Sequence, residues 1–209
     1  MNGWRQIANL PRKHLKEVKD WDWIQLRMYT SPGQSHRWLS CHISGSYCRG
    51  RTCPGKNGRT FGRCRGERFS IVNNKGGAIK ACDRVGIRYS WWEDKKKGYW
   101  LSSYYKPDIY TMTCPKKGFW SLNRNRRCIS EQWIIYAAGK DCGKSIEHSD
   151  IISLESMEYG NRFLTSTATS ALFSPTPVFK GWLRLPGMSV RRRSFIIFKN
   201  GYYNSEYNW

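Results

Sequence analysis

At 209 residues, the chain is long enough to bury the core of one ordinary domain. Its 36 Lys and Arg residues outnumber its 15 Asp and Glu residues, and the net charge of +21 favours acidic partners: nucleic acid, a sulfated or uronic glycan, an anionic mineral or an acidic protein. No run of about 18 apolar residues occurs, so a membrane-spanning helix is not expected.

The first 19 residues are predicted to form an arm that precedes the main domain, residues 20–209. Residues 11–18 are the helical candidate, with Leu15 and Val18 at i,i+3 spacing. The arm lacks the apolar core of a signal peptide. The chain is therefore expected to be either intracellular or a mature form.

Three sequence units follow, and each contains the same strand-like segments in the same order. Each unit opens on an Asp followed by apolar residues at alternate positions, the pattern of a half-buried strand. A short segment with an aromatic residue and Leu comes next, and an aromatic, Ile-rich segment closes the unit. The opening segments are 22–27, 83–88 and 150–155, the middle ones 38–40, 100–102 and 163–165, and the closing ones 69–72, 133–136 and 195–198.

The spacing of these units predicts the fold. Asp22, Asp83 and Asp150 stand 61 and 67 residues apart, too far for most solenoid repeats. Three units are typical of a closed fold with threefold symmetry, whereas a two-sheet β-sandwich does not require three sequence repeats. We therefore predict an all-β, disulfide-bonded β-trefoil of about 12 strands, with repeats at about 20–80, 81–147 and 148–209. The alternate apolar positions should form its core, together with a layer of Leu39, Leu101 and Leu164.

The chain resembles the β-trefoil superfamily, in particular its fascin-like, ricin-B-like and MIR-like repeats. The resemblance rests on residues 77–85 with 99–102, and on residues 143–152 with 162–164. It implies a trefoil fold over about 180 residues. The Gln-x-Trp signature of ricin-type lectins is absent, because Gln132 directly precedes Trp133, so a galactose site is not expected.

The eight cysteines predict four disulfides and an oxidising compartment. Cys53 and Cys64 match Cys114 and Cys128 in the next unit, while Leu185 and Val190 replace both together in the third; this paired replacement predicts Cys53–Cys64 and Cys114–Cys128. Cys41 and Cys48 are close enough in sequence to form a local disulfide. The remaining pair, Cys82–Cys142, would link the first unit to the second. The alternative is a reduced, cytosolic protein.

No catalytic, metal or cofactor site is predicted. Zinc-type Cys and His spacing is absent. Residues 138–145 satisfy a permissive phosphate-loop pattern, but a strand rather than a helix is expected after them, so they are interpreted as a turn. The repeated Asp22, Asp83 and Asp150 are interpreted as turn caps, because three symmetric copies would lie too far apart to form a paired-carboxylate site.

Basic clusters in turns and hairpins are the candidate binding residues. Three clusters directly precede the closing segments, so the predicted symmetry places three cationic tips at one end of the molecule. The predicted polyanion-binding residues are Arg63, Arg65, Lys95, Lys96, Lys97, Lys116, Lys117, Arg124, Arg126, Arg127, Arg191, Arg192 and Arg193. Arg49 and Arg51 form a further pair.

The function predicted from these features is non-enzymatic binding of a polyanionic matrix by a secreted protein. The matrix would be a biomineral such as silica, or extracellular matrix, and an acidic matrix protein is a further expected partner. In fold and charge the chain is similar to the trefoil proteins that accompany silicatein in sponge spicules. A lectin for acidic glycans is the first alternative. A nucleic-acid-binding protein is the second, and disulfides disfavour it.

Overall fold

The computed structural model describes residues 16–29, 38–41, 48–51, 67–89, 99–103, 110–112, 126–160, 162–166, 171–174 and 194–199. These residues contain a 12-stranded sheet and a 3₁₀ helix, Arg126–Glu131, so the predicted all-β class is confirmed. The strands are β1 (Trp23–Met28), β2 (Trp38–Cys41), β3 (Cys48–Arg51), β4 (Phe69–Val72), β5 (Arg84–Tyr89), β6 (Tyr99–Ser102), β7 (Tyr110–Met112), β8 (Gln132–Ala137), β9 (Ile151–Ser156), β10 (Phe163–Ser166), β11 (Ala171–Ser174) and β12 (Phe195–Lys199).

Six of these strands close into an antiparallel barrel. Their order around the barrel is β1, β4, β5, β8, β9 and β12, and β12 pairs with β1 to complete the circle. The predicted opening segments became β1, β5 and β9, and the closing segments became β4, β8 and β12. Period-2 sequences form such walls because alternate side chains point into the barrel.

The other six strands form three outer hairpins, β2–β3, β6–β7 and β10–β11. Each hairpin is joined to the end of the barrel strand that precedes it. Arg27 pairs with Trp38, Arg88 with Trp100 and Glu155 with Phe163. We call this side of the barrel the hairpin end.

The core lies inside the barrel, at the predicted positions. Leu39, Leu101 and Leu164 are fully buried, and so are the inward residues of the six wall strands, which include Phe69, Trp133 and Phe195. Two large buried rings each donate a hydrogen bond to a backbone carbonyl. The Tyr89 hydroxyl donates to the Cys41 carbonyl at 3.1 Å, and the Trp133 indole N–H donates to the Leu101 carbonyl at 3.0 Å. Burial of these rings therefore leaves their polar atoms satisfied.

Three similar turns lead into β1, β5 and β9 at the opposite end. In each, a non-glycine residue has a positive φ: 68° at Trp21, 67° at Cys82 and 73° at Ser149. The N–H of this positive-φ residue donates to the carbonyl of an isoleucine in the neighbouring closing strand, which is Ile71, Ile135 or Ile197. The N–H of the isoleucine donates in turn to the carbonyl of the Asp that follows the positive-φ residue. We call residues 16–22, 73–83 and 138–150, which form these turns, the turn end.

Two of the four predicted disulfides are confirmed. Cys41–Cys48 joins β2 to β3, and Cys82–Cys142 joins the turn before β5 to the turn after β8. Cys53, Cys64 and Cys114 lie outside the described residues, as does the side chain of Cys128, so their pairing stays a prediction.

The segment before β1 differs from its prediction. Glu17 and Lys19 form isolated bridges with Glu147 and Ala78, and Val18 is fully buried between them. Lys16 is helical, so the helix predicted for residues 11–18 is wrong only at Glu17 and Val18, where Val18 completes the core in extended form; residues 11–15 lie outside the described residues. The finer prediction, a trefoil of three equivalent repeats, stays a prediction.

Candidate functional site

At the turn end, carboxylates are used to hold the turns. Asp22, Asp83 and Asp150 each accept a backbone N–H from the residue three positions earlier, at 2.6, 2.9 and 2.8 Å respectively. The interpretation of these residues as turn caps is confirmed.

Each of these carboxylates also contacts a lysine. The partners are Lys199 for Asp22 at 2.8 Å, Lys75 for Asp83 at 3.4 Å and Lys140 for Asp150 at 2.7 Å. These three lysines are therefore engaged within the protein.

The phosphate-loop-like segment belongs to the same turn system. After β8 the chain turns at residues 138–139 and 142–143, and it then forms bridges at Ser145 and Glu147 without a helix. The Lys140 ammonium group donates to the Ser145 carbonyl at 2.7 Å, within the turn itself. The interpretation of this segment as a turn is confirmed.

At the hairpin end, two glutamates occupy matching positions, each two residues before the first inward aromatic of a closing strand. Glu67 and Glu131 are both buried, with exposed fractions of 3% and 2%. Burial raises the pKa of Glu67 to about 8. Burial, and then the negative charge of Glu158, raise the pKa of Glu131 to about 7. At neutral pH, Glu67 is therefore mostly protonated, and Glu131 is divided between its two forms.

Buried serines hold Glu131 in place. The Ser103 hydroxyl donates to the Ser130 carbonyl at 3.0 Å and lies 2.9 Å from the Ser156 hydroxyl. The end of the 3₁₀ helix is thereby tied to β9 and to the residue after β6. These hydrogen bonds give the serines a structural role, while Glu131 Oε2 is buried without a hydrogen-bond partner.

The barrel wall carries an exposed aromatic surface that sequence analysis missed. Trp21 is 40% exposed and Trp23 49%. The Arg68 guanidinium carbon lies 3.2 Å from the centroid of the Trp23 ring, and that of Arg88 lies 5.9 Å from the Trp21 ring. We call Trp21, Trp23, Arg68 and Arg88 the Trp–Arg surface.

Strand pairing places these residues side by side. Trp23 pairs with Ser70 on β4, and Ser70 pairs with Arg88 on β5, so the three form a row across adjacent strands. The row lies on the outer face, because Ile24, Ile71 and Ile87 point into the core. The sequence signal was available: Trp23 occupies the outward phase of β1, opposite to Ile24.

The predicted polyanion-binding residues fall mostly outside the described part of the chain. Arg126 and Arg127 are the exceptions, since they begin the 3₁₀ helix that precedes β8 at the hairpin end. The other predicted residues lie outside the described ranges: Arg63, Arg65, Lys95, Lys96, Lys97, Lys116, Lys117, Arg124, Arg191, Arg192 and Arg193.

The charges of the chain are unevenly divided along the sequence. The described residues hold 16 of the 36 basic residues and 11 of the 15 acidic ones, which leaves 20 basic and 4 acidic residues in the rest of the chain. Most acids therefore lie in the barrel strands and their turns. The described residues therefore carry a net charge of +5 and the rest of the sequence +16.

The described ranges contain no group of three or more His, Cys, Asp or Glu side chains that could hold a metal ion. None of their helices has the length and apolar character needed to cross a membrane.

Comparison with solved structures supports the barrel. An SDF2-like protein from Arabidopsis thaliana is similar over 87% of this chain and 94% of its own, with a TM-score of 0.56 and 9% identity. An arabinofuranosidase complexed with arabinofuranosyl-alpha-1,2-xylobiose gives a TM-score of 0.55 and 12% identity over 86% of this chain. A GH54 α-L-arabinofuranosidase gives 0.51 and 13% over the same share.

These similarities show the fold alone. The match spans only 31% of each arabinofuranosidase chain. No family model matches this chain, and no curated protein does.

The resemblance drawn from the sequence is therefore corrected. Assignment to fascin-like, ricin-B-like or MIR-like repeats is wrong, and so is the likeness to silicatein-associated proteins, since the structural neighbours are the SDF2-like protein and the arabinofuranosidase. The physical reason is that alternating apolar residues and turn-capping Asp residues are what a closed barrel requires. They specify a wall and its turns without specifying a family.

Proposed function

We propose that the protein is a secreted, non-enzymatic structural or interaction protein that binds a polyanionic matrix, either a mineral such as silica or extracellular matrix. The observation that carries this proposal is the division of charge. Acidic residues are concentrated in the barrel, where Asp22, Asp83 and Asp150 contact lysines, while 20 basic and 4 acidic residues lie outside the described ranges. A net charge of +21 attracts polyanions whatever their chemistry.

Secretion is part of the same proposal. Cys41–Cys48 and Cys82–Cys142 are disulfides, which persist in oxidising compartments. Disulfides restrict the unfolded chain, so these two crosslinks would help the protein to stay folded in a matrix.

The trefoil arrangement is also proposed. Each opening strand begins with the same turn and hydrogen bonds, and each is followed by one outer hairpin. Experimental coordinates should superpose the three units by rotations of about 120°. Units that do not superpose would leave a barrel without threefold symmetry.

The function is tested by measuring binding to silica and to a glycan array at increasing salt. Matrix binding through charge should weaken steeply with salt, whose screening length is about 8–10 Å under physiological conditions. Replacing six arginines with Gln (Arg124, Arg126, Arg127, Arg191, Arg192 and Arg193) should weaken it at low salt as well. Binding that survives both changes would contradict the proposal.

A lectin for acidic glycans is the second candidate, and the exposed indoles of Trp21 and Trp23 favour it. Saturable competition by one saccharide, with weak salt dependence, would support the lectin over general matrix binding.

A further inference from the structure

The indoles of Trp21 and Trp23, two residues apart at the start of β1, are both exposed, and burial does not explain them. The equivalent turn position holds Cys82 in the second unit and Ser149 in the third, so the turn itself does not require an aromatic residue. Trp21 nevertheless adopts a φ of 68°, which is unfavourable for a bulky side chain, and remains 40% exposed. A strained position without compensating burial indicates a role outside the fold.

Arginines fix the orientation of both rings. Arg68 is half-buried and stacks on Trp23, while Arg88 is 4% exposed and lies beside Trp21 on the neighbouring strand. Stacking holds a guanidinium group in a plane that suits two-point contact with a carboxylate or sulfate. Arg68 therefore supplies a positive group next to a flat apolar face.

We propose that the Trp–Arg surface binds an acidic polysaccharide, whose sugar rings stack on Trp21 and Trp23 and whose carboxylate or sulfate groups contact Arg68. An acidic polysaccharide fits because the surface combines apolar ring faces with a positive group. A mineral surface offers anions but no apolar ring face, and a neutral sugar offers the ring face without the anion.

Nearby charges are compatible with this occupant. Asp22, between the two indoles in sequence, contacts Lys199 at 2.8 Å and accepts the Lys19 N–H, so its negative charge is compensated within the turn. Glu67 precedes Arg68 directly, and burial raises its pKa to about 8, so it is mostly uncharged at pH 7. Arg68 thus keeps its positive charge beside an uncharged neighbour.

The proposed site rests on the proposed affinity for polyanions. Three probes distinguish binding at the Trp–Arg surface from general polyanion binding. Trigalacturonate carries both ring faces and carboxylates, inorganic polyphosphate carries charge alone, and single-stranded oligothymidylate carries charge with aromatic bases. Titration calorimetry of the full chain at constant salt gives the affinity for each probe.

Replacement of both indoles should change the affinities for the three probes by different amounts. W21A/W23A should lower the affinity for trigalacturonate by roughly tenfold or more and leave that for polyphosphate nearly unchanged, because only the sugar stacks. W21F/W23F should recover part of the loss and guards against misfolding, which a thermal melt reports. R68Q should weaken trigalacturonate binding more than R162Q, which removes the same charge from the third unit.

Each remaining result overturns the site. Unchanged trigalacturonate affinity in W21A/W23A, or an equal loss with R162Q and R68Q, would show that the surface is not used. A wild type that binds polyphosphate but not trigalacturonate would remove this site and leave the polyanion function intact. Tighter, Trp-dependent binding of oligothymidylate would assign the surface to nucleic acid instead.

Discussion

The two ends of the barrel use the same chemical group in opposite ways. At the turn end, Asp22, Asp83 and Asp150 accept backbone hydrogen bonds and contact lysines. At the hairpin end, Glu67 and Glu131 are buried, and burial raises their pKa values to about 8 and about 7.

The difference follows from what each carboxyl group meets. Backbone N–H groups and an ammonium group stabilise the ionised form, whereas an apolar surrounding destabilises it. This protein therefore pairs carboxyl groups with backbone N–H groups and lysines at one end, and at the other it buries carboxyl groups whose pKa values are raised. The surroundings of the carboxyl groups distinguish the two ends.

The largest expected effect concerns the disulfides of the two ends. Cys82–Cys142 closes 60 residues and Cys41–Cys48 closes 7. By loop-closure entropy, C82A/C142A should lower the free energy of unfolding by about 4 kcal/mol and C41A/C48A by about 2 kcal/mol. Urea unfolding of both variants measures this. A larger loss in C41A/C48A would show that local packing at the hairpin outweighs chain entropy.

Removal of one turn-end charge should cost less. D150N weakens the acceptor for the Glu147 N–H and the contact with Lys140, so we expect a loss of about 1–2 kcal/mol in unfolding free energy. D141N is the matched control, because Asp141 is exposed in the same turn. Equal effects of D150N and D141N would mean that net charge, rather than the cap, stabilises this end.

At the hairpin end, stability should depend on pH. Glu67 and Glu131 bind protons more tightly in the folded protein than at their ordinary pKa of 4.5, so unfolding releases protons between about pH 4.5 and 8 and stability falls as pH rises through that range. E67Q/E131Q should flatten the fall, measured as melting temperature at pH 5 and pH 8.5. A wild type that is more stable at pH 8.5 than at pH 5, with no change in E67Q/E131Q, would contradict the burial of these acids.

The smallest effect on stability is expected for the arginine cluster that precedes β12 in the sequence. Replacing Arg191, Arg192 and Arg193 with Gln should change the unfolding free energy by no more than about 0.5 kcal/mol while weakening polyphosphate binding. Replacing Lys75, Lys140 and Lys199 with Gln removes the same charge but breaks the contacts with Asp83, Asp150 and Asp22. This second variant should lose stability and retain more binding. The reverse result would place the polyanion at the turn end.

Sequence reasoning predicted the features that repeat along the chain. Alternating apolar residues identified all six wall strands, and the buried Leu39, Leu101 and Leu164 were assigned from their matching positions. Asp22, Asp83 and Asp150 were interpreted correctly as caps because a residue at the start of a strand has few other roles. Local proximity was enough to pair Cys41 with Cys48.

Features that depend on contacts between distant segments were missed. The ion pair between Lys199 and Asp22 joins the last strand to the first, and no local pattern indicates it. Burial of Glu67 and Glu131 was also missed, although both stand two residues before an aromatic residue of a closing strand. The exposure of Trp23 was missed as well, although its outward phase on β1, opposite to the buried Ile24, indicated it.

Closure of the barrel also limits how copies of this protein can aggregate. All six wall strands are paired on both sides, so their backbone groups cannot act as a template for a further strand. Edge pairing is left to the short outer strands β3, β7 and β11, each joined to its hairpin partner. Strands of only three or four residues offer few free backbone groups to a second copy, so closure of the barrel protects this protein against forming fibrils.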